Sequence, residues 1–322
     1  MDSVFFDHAN AFESAFRQLD IDVEFIRIPY FTVETLTAAR LNGIRKVLKE
    51  TPSGTYLIFC PGLAEFFLEG VDQQFSFSAY RSWCPKNVRV IPHIWTIAES
   101  PKNMECVRWT DKPPLRLGFM GTAYVGSKVG DLASRLPLSM KTWLLRGSYL
   151  KSLGILAHLY QRGISLKYIN TFARAETLKI LDAKRHDYKG VELEIVDSKG
   201  FSGSEHDKRR YIDHLQRVTY VICPRGSENF SIRTYEALKY GRIPVIVDTD
   251  MVLPREIDWD RVSIRVPYES LGKIYDIILN DYHSRPAQAF AERQQVAFST
   301  MRQLESMSWL RDVLKETIPI AV

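Results

Sequence analysis

Residues 223–247 read CPRGSENFSIRTYEALKYGRIPVIV. An apolar strand ends in Cys223-Pro224-Arg225-Gly226, a polar loop follows, and a helix predicted over 231–241 leads into the apolar strand IPVIV. Packing needs only the apolar positions of such a unit, so its arginines, serine and glutamate are surplus to a core. Pro224 and Gly226 force a turn, and Gly226 lets the backbone come close to a ligand. At Ser231 the first helical N–H groups have no partners within the helix, and the helix dipole there favours an anion. Arg225 and Arg233 add guanidinium forks that match phosphate oxygens. Glu236 follows Arg233 by three residues, on nearly the same helical face, and a carboxylate there can accept from both hydroxyls of a ribose. The stretch therefore reads as a cradle for a nucleoside diphosphate. A plainer reading is equally open on spacing alone: Ser231 as an N-cap, Pro224-Arg225-Gly226 as a turn, and Arg233 with Glu236 as a surface ion pair worth at most about 0.5 kcal/mol.

Outward from this unit, strand and helix signals alternate along the chain. Before it come LRLGFMG, helical segments across 130–162, LKYIN, the helix ARAETLKILDAKR, VELEIV, the helix EHDKRRYIDHLQR and TYVICP. After it come RVSIRV and two or three helices from 268 to about 316. The first hundred residues alternate likewise. In DHANAFESAFRQLD a helix puts Phe12, Ala15, Phe16 and Leu19 on one face, and IDVEFIRIP, a helix over 32–50, TYLIFCPG and NVRVIPHIW follow. Alternation of this kind argues for parallel sheets with helices on both faces. The prolines and lost periodicity of 96–114 suggest a linker. The expected organisation is an α/β chain with a Rossmann-like unit over 1–112, a second over 113–300, and a final helix over 301–322 crossing back to the first.

Composition sets bounds. The chain has 322 residues, 45% of them hydrophobic, and 43 Lys+Arg against 38 Asp+Glu give a net charge of +5. That is mildly basic, compatible with anionic small ligands and far from a nucleic-acid signature. The densest basic run, Lys208-Arg209-Arg210, reads as a solvated helix face. Four cysteines lack CxxC or metal-site spacing, and those closing strand-like runs read as reduced, buried thiols. No apolar run approaches the ~20 residues that span a bilayer, and no cleavable leader opens the chain, so a cytoplasmic protein is expected. The GxGxxG, Walker A and HExxH patterns are all missing, which weakens dehydrogenase, ATPase and zinc-hydrolase readings.

The stretch YVICPRGSENFSIRTYEALKYGRIPVIVDTDMVLPREIDW resembles the C-terminal core of the exostosin family, glycosyltransferase family 47. The shared order is Cys-Pro-Arg-Gly, Ser-x-Arg-x-x-Glu-Ala-Leu, a strand containing Pro-Val, then Leu-Pro and Trp. LRLGFMGTAYVGSK is similar to the strand and Gly-containing loop that open the family's C-terminal domain. The resemblance implies a GT-B fold, two Rossmann-like domains facing across a cleft, and a UDP-sugar donor. It also implies inverting transfer to a carbohydrate hydroxyl. Arg225, Gly226, Ser231, Arg233 and Glu236 then become donor-nucleotide contacts. Phe230 departs from the pattern, standing where many members have glycine. An inactive nucleotide-sugar-binding subunit that stabilises a partner transferase is the alternative.

Inverting transfer needs a general base. In a GT-B arrangement it comes from the end of an N-terminal strand, and Asp7, Glu65 and His93 qualify by position. Each also has an ordinary structural role open to it: an N-cap, a solvated helix residue and a core histidine. Asp248 and Asp250 in VIVDTDM form an Asp-x-Asp after a strand, the pattern that binds a divalent cation in other transferases. Here it follows the Arg/Glu helix and is read as sugar-hydroxyl contacts or turn residues. No metal or other cofactor is expected.

Overall fold

Parallel strands build two sheets, and their register sets where a ligand can sit. The computed structural model describes residues 12–19, 57–59, 72–93, 107–123, 128–146, 172–200, 204–226, 228–306 and 308–317. Asp7, Glu65, the expected strands IDVEFIRIP and LKYIN and the expected helix over 32–50 lie outside these residues.

Helix α1 (12–18) buries Phe12, Ala15 and Phe16, as its spacing predicts. The first sheet holds β1 (Leu57–Phe59), β2 (Gln73–Ser76) and β3 (Val88–Val90) in that order, each pair parallel. Strand β2 was not foreseen. Its QQFS sequence buries Gln74 and Ser76 completely, so no apolar alternation marks it. Polar satisfaction takes the place of that pattern: the Gln74 N–H donates to the Asn87 carbonyl at 2.7 Å and Ser76 Oγ to the Ser78 carbonyl at 2.8 Å.

The second sheet contains β4 (Arg116–Gly121), β5 (Glu192–Asp197), β6 (Tyr220–Cys223), β7 (Ile243–Asp248) and β8 (Ile264–Pro267). Their order is β5-β4-β6-β7-β8, with every neighbouring pair parallel. Between β4 and β5 lie helices α2 (Lys128–Ser134), α3 (Leu138–Leu145) and α4 (Phe172–Lys184). Then come α5 (Glu205–Arg217) before β6, α6 (Ile232–Lys239) before β7, and α7 (Trp259–Val262) before β8. A 3-10 helix over Tyr268–Lys273 leads into α8 (Ile274–Ser284), α9 (Ala287–Glu305) and α10 (Ser308–Thr317). The strand expected from Arg261 starts later, at Ile264, because the Asp258 side chain caps the short α7 by accepting from the Arg261 N–H.

Strands β6 and β7 are buried along their whole length, as central strands covered on both faces must be. On one face Leu117, Phe119, Tyr220, Ile222, Val245 and Val247 pack on Phe172 and Leu181 of α4 and on Ile274 and Ile278 of α8. On the other, Met120, Val221 and Cys223 meet Tyr211, Ile212 and Leu215 of α5 and Ala237 of α6. Helix α5 begins with Ser204 accepting from the Asp207 N–H at 3.2 Å, and its Arg209 and Arg210 are exposed, the solvated face expected of that run.

A further core joins the two sheets. Phe75, Phe77 and Ile91 of the first pack with Tyr235, Ile246 and Met251 of the second and with Trp309, Leu310, Val313 and Leu314 of α10. Arg89 of β3 ties the same region together, 2.8 Å from Glu256 and 2.5 Å from Glu316 of α10. Backbone bonds from Arg81 to Asp250 (2.9 Å) and from Val252 to Ala79 (3.1 Å) stitch the segment after β2 onto the loop after β7. Among the described residues Cys84 and Cys223 are free thiols, and no helix is long and apolar enough to cross a membrane.

Candidate functional site

Strand order locates the site before any side chain is considered. The chain runs from β4 outward to the edge strand β5, then returns to β6 on the opposite side of β4. Connections therefore diverge between β4 and β6, and the crevice beyond their C-terminal ends is where an open parallel sheet takes a ligand.

Three arginines meet at that point. Arg225 follows β6 directly; its side chain is fully buried, and Nη2 donates to the Tyr80 hydroxyl at 3.1 Å. Arg233, in the first turn of α6, donates from Nε to the Met120 carbonyl at 3.1 Å and lies 4.5 Å from the centroid of the Phe119 ring. Arg174, in the first turn of α4, spans the crevice: Nη1 donates to the Thr122 carbonyl at 2.8 Å and Nε to the Arg225 carbonyl at 3.2 Å. Burial and the charges of Arg233 and Arg225 push the Arg174 guanidinium down to about 10. Neither Arg174 nor Arg233 has a carboxylate within ion-pair reach among the described residues.

Gly121 makes the approach of Arg233 possible. A Cβ on Gly121 would drive into Nη2 of Arg233, whereas one on Gly226 would only touch Nη2 of Arg174, at 3.4 Å. The Gly226 N–H closes the following loop by donating to the Phe230 carbonyl at 2.8 Å. Asn229 pins the same loop from within, donating to the carbonyls of Ala79 (3.1 Å) and Asp250 (3.2 Å) and accepting from Thr249 Oγ1 (2.8 Å).

The two plain readings of α6 do not describe its side chains. Ser231 stands at the N-cap, but its hydroxyl makes no capping bond. Arg233 is bonded to Met120 rather than to Glu236. Glu236 is 2% exposed, and its Oε2 accepts from the Tyr211 hydroxyl. Burial, and then the charge of Glu236, push the Tyr211 phenol well above its ordinary value, so it remains a donor at any physiological pH.

His93 lies in an aromatic setting at the seam of the two sheets, with ring centroids 4.7 Å from Phe77, 5.5 Å from Phe230 and 6.3 Å from Tyr235. The departure at Phe230 thus supplies one wall of the His93 pocket. Asp248 is held by Arg81 at 2.9 Å, Arg265 at 2.6 Å and the Met251 N–H at 3.0 Å. These contacts outweigh burial and hold its carboxyl below the usual range. Asp250, at φ 68°, accepts from the Ser82 N–H and hydroxyl, a turn residue as one of its expected roles has it.

Sequence reasoning singled out Arg225, Gly226, Ser231, Arg233 and Glu236, and the fold brings them to one strand end. It missed Arg174, Tyr211 and Asn229. A signal for Arg174 was present: a cation in the first turn of a helix opposes the helix dipole and calls for a reason. Residues 163–280 match the model of the Exostosin GT47 domain, a little over a third of the chain. That segment is exostosin-like. Over 122 residues the chain is 34% identical to Exostosin-1 of Drosophila melanogaster, an alignment covering 36% of this chain and 16% of that protein. It is 34% identical over 80 residues to a probable glucuronosyltransferase of Oryza sativa subsp. japonica, covering 24% and 18%. With a probable beta-1,4-xylosyltransferase of Arabidopsis thaliana it shares 32% over 88 residues, covering 27% and 20%. The aligned stretches thus span a fifth or less of these relatives. The exostosin-like segment contains Arg174, Arg225, Arg233 and Glu236 together, so the likeness coincides with the arginine-lined crevice.

Proposed function

We propose that the chain transfers a sugar from a UDP-sugar to a carbohydrate hydroxyl, with inversion at the anomeric carbon, in a GT-B-type arrangement. The observation that carries this reading is the meeting of Arg225 and Arg233 with the start of α6 at the switch point between β4 and β6. Support comes from the exostosin-like segment around it and from relatives named for glucuronosyl and xylosyl transfer. The diphosphate lies against Arg233, the Ser231 hydroxyl and the first N–H groups of α6, with the charge of Arg225 behind it. The ribose takes the carboxylate of Glu236. A carboxylate accepts from several donors at once, so the Tyr211 bond is compatible with that role.

In the reaction an acceptor hydroxyl oxygen bonds to the anomeric carbon as the bond from that carbon to the β-phosphate oxygen breaks. The electron pair leaves with UDP, and the hydroxyl proton passes to a general base, for which Asp7, Glu65 and His93 are the proposed groups. Guanidinium charge stabilises the departing diphosphate. The engagement of Asp248 by two arginines supports a leaving-group site that works without a divalent cation.

Titration calorimetry with UDP tests the assignment. Arg233→Ala and Glu236→Ala are expected to weaken UDP binding roughly tenfold or more while remaining folded, in keeping with the loss of a charge-assisted hydrogen bond. Folded variants that bind UDP as the parent does would refute it. Hydrolysis of a panel of UDP-sugars by the parent then identifies the donor.

A further inference from the structure

Tyr211 of α5 is buried with Met120, Cys223 and Ala237 between the helix and the sheet, and a phenylalanine ring would fill the same space. The hydroxyl is surplus to packing. It donates to Oε2 of Glu236, itself buried, and so ties α5, which precedes β6, to α6, which follows it. A tie alone would be met by glutamine at 236, whose amide oxygen accepts the same bond. Glutamine would also spare the core a charge, and a buried carboxylate is costly unless donors or opposite charges compensate it. A charged group kept there at that cost points to a ligand.

Burial favours the neutral acid, whereas a bond donated to the carboxylate favours the ionised form. The difference decides what Glu236 can offer. Ionised, it only accepts; protonated, one of its oxygens becomes a donor and no longer receives a hydroxyl. Tyr211 suits the task because burial and the charge of Glu236 hold the phenol well above its ordinary value, so it keeps its proton. The same bond anchors one carboxylate oxygen and restricts rotation of the group.

We propose that Tyr211 is a positioning residue: its hydroxyl holds Glu236 ionised and oriented, so that the site takes ribose and discriminates against 2′-deoxyribose. The proposal rests on the nucleotide reading, in which Glu236 receives the ribose. Among the described residues, Arg233 faces the pair from α6 and Cys223 from β6. Burial pushes the Cys223 thiol up to about 12, so it stays neutral. His214 lies one turn further along α5 and feels the charge of Arg233, but its contact is Glu194. Its titration is common to the parent and to any variant at Tyr211.

The test is calorimetry with UDP and 2′-deoxy-UDP on the full chain, between about pH 8 and about pH 5.5, where a carboxyl raised by burial titrates. Both ligands carry the same diphosphate, so the ratio of their affinities isolates the ribose. The parent should prefer UDP roughly tenfold or more across the range, as expected for a hydrogen bond to a charged group. Tyr211→Phe should keep part of that preference at the alkaline end. It should lose the remainder as pH falls and the carboxylate, deprived of its donor, takes up a proton. Glu236→Gln should show a smaller preference that does not change with pH. Thermal denaturation establishes that each variant is folded. Should Tyr211→Phe fail to fold, the comparison is made in Glu236→Gln, where no buried charge has lost its donor. There the preference should shrink again without the hydroxyl, and an unchanged one would overturn the proposal. A parent that prefers UDP, matched by Tyr211→Phe at every pH, would overturn it and leave the ribose reading standing. Equal losses for UDP and 2′-deoxy-UDP would overturn it too, since they mark a general loosening of α5 against α6. A parent that binds the two ligands alike would refute the ribose reading and the proposal together.

Discussion

At the residue scale, the site depends on Gly121 and on where three guanidiniums are anchored. Gly121→Ala places a methyl where Nη2 of Arg233 lies, and the arginine must leave its position above Phe119. Such overpacking costs about 1–3 kcal/mol. Denaturant titration should show that loss and UDP titration a weaker complex, whereas a variant unchanged in both would mean Arg233 is free to move aside. The placement of Arg233 and Glu236 on one helix was legible because their spacing follows from the sequence alone. Arg174 was not, because what makes it unusual is its position across the crevice from residues some fifty positions away. Nor was Tyr211, whose bond to Glu236 forms only when α5 and α6 pack on the same face of the sheet.

Elements show a similar division. The apolar strands β4, β6 and β7 and the amphipathic α5 announce themselves, since continuous apolar runs and helical periodicity both report burial directly. Strand β2 stays silent because its buried Gln74 and Ser76 satisfy the backbone rather than fill a core. Helix α5 also brings a histidine inside: His214 is 1% exposed and packs over Gly118 of β4, its Nδ1 3.2 Å from Glu194, which Arg217 also contacts at 2.8 Å. Burial lowers the His214 imidazole below its ordinary value, against the pull of Glu194. A group depressed in this way is neutral in both folded and unfolded chains above about pH 6.5. As pH falls below that value the unfolded chain takes up the proton first, so stability declines toward the folded pKa. Unfolding free energy measured between pH 7 and 5 should therefore fall less steeply in His214→Gln than in the parent. Parallel curves would contradict the assignment.

For the whole molecule, the core that joins the sheets matters most. Leu310 of α10 is fully buried among residues of both, and Leu310→Ala should cost about 2–5 kcal/mol. Because Phe75, Phe77, Ile246 and Met251 share that core, calorimetry of the variant should show one transition at a lower temperature. Two resolved transitions would mean the sheets unfold separately. Sequence periodicity foretold parallel sheets with helices on both faces, and a final helix crossing back to the first unit was expected from the overall architecture, but periodicity had no means of showing that the loop after β7 is packed against the first sheet. Such contacts lie far apart along the chain.

The central claim is that a diphosphate occupies the crevice between the C-terminal ends of β4 and β6, held by Arg233 and the start of α6. A crystal structure of the full chain with UDP tests it most directly. The expected result is both phosphates within hydrogen-bond distance of Arg233 and the Ser231 segment, with the ribose at Glu236. UDP bound elsewhere, or bound with its phosphates turned away from these residues, would contradict it.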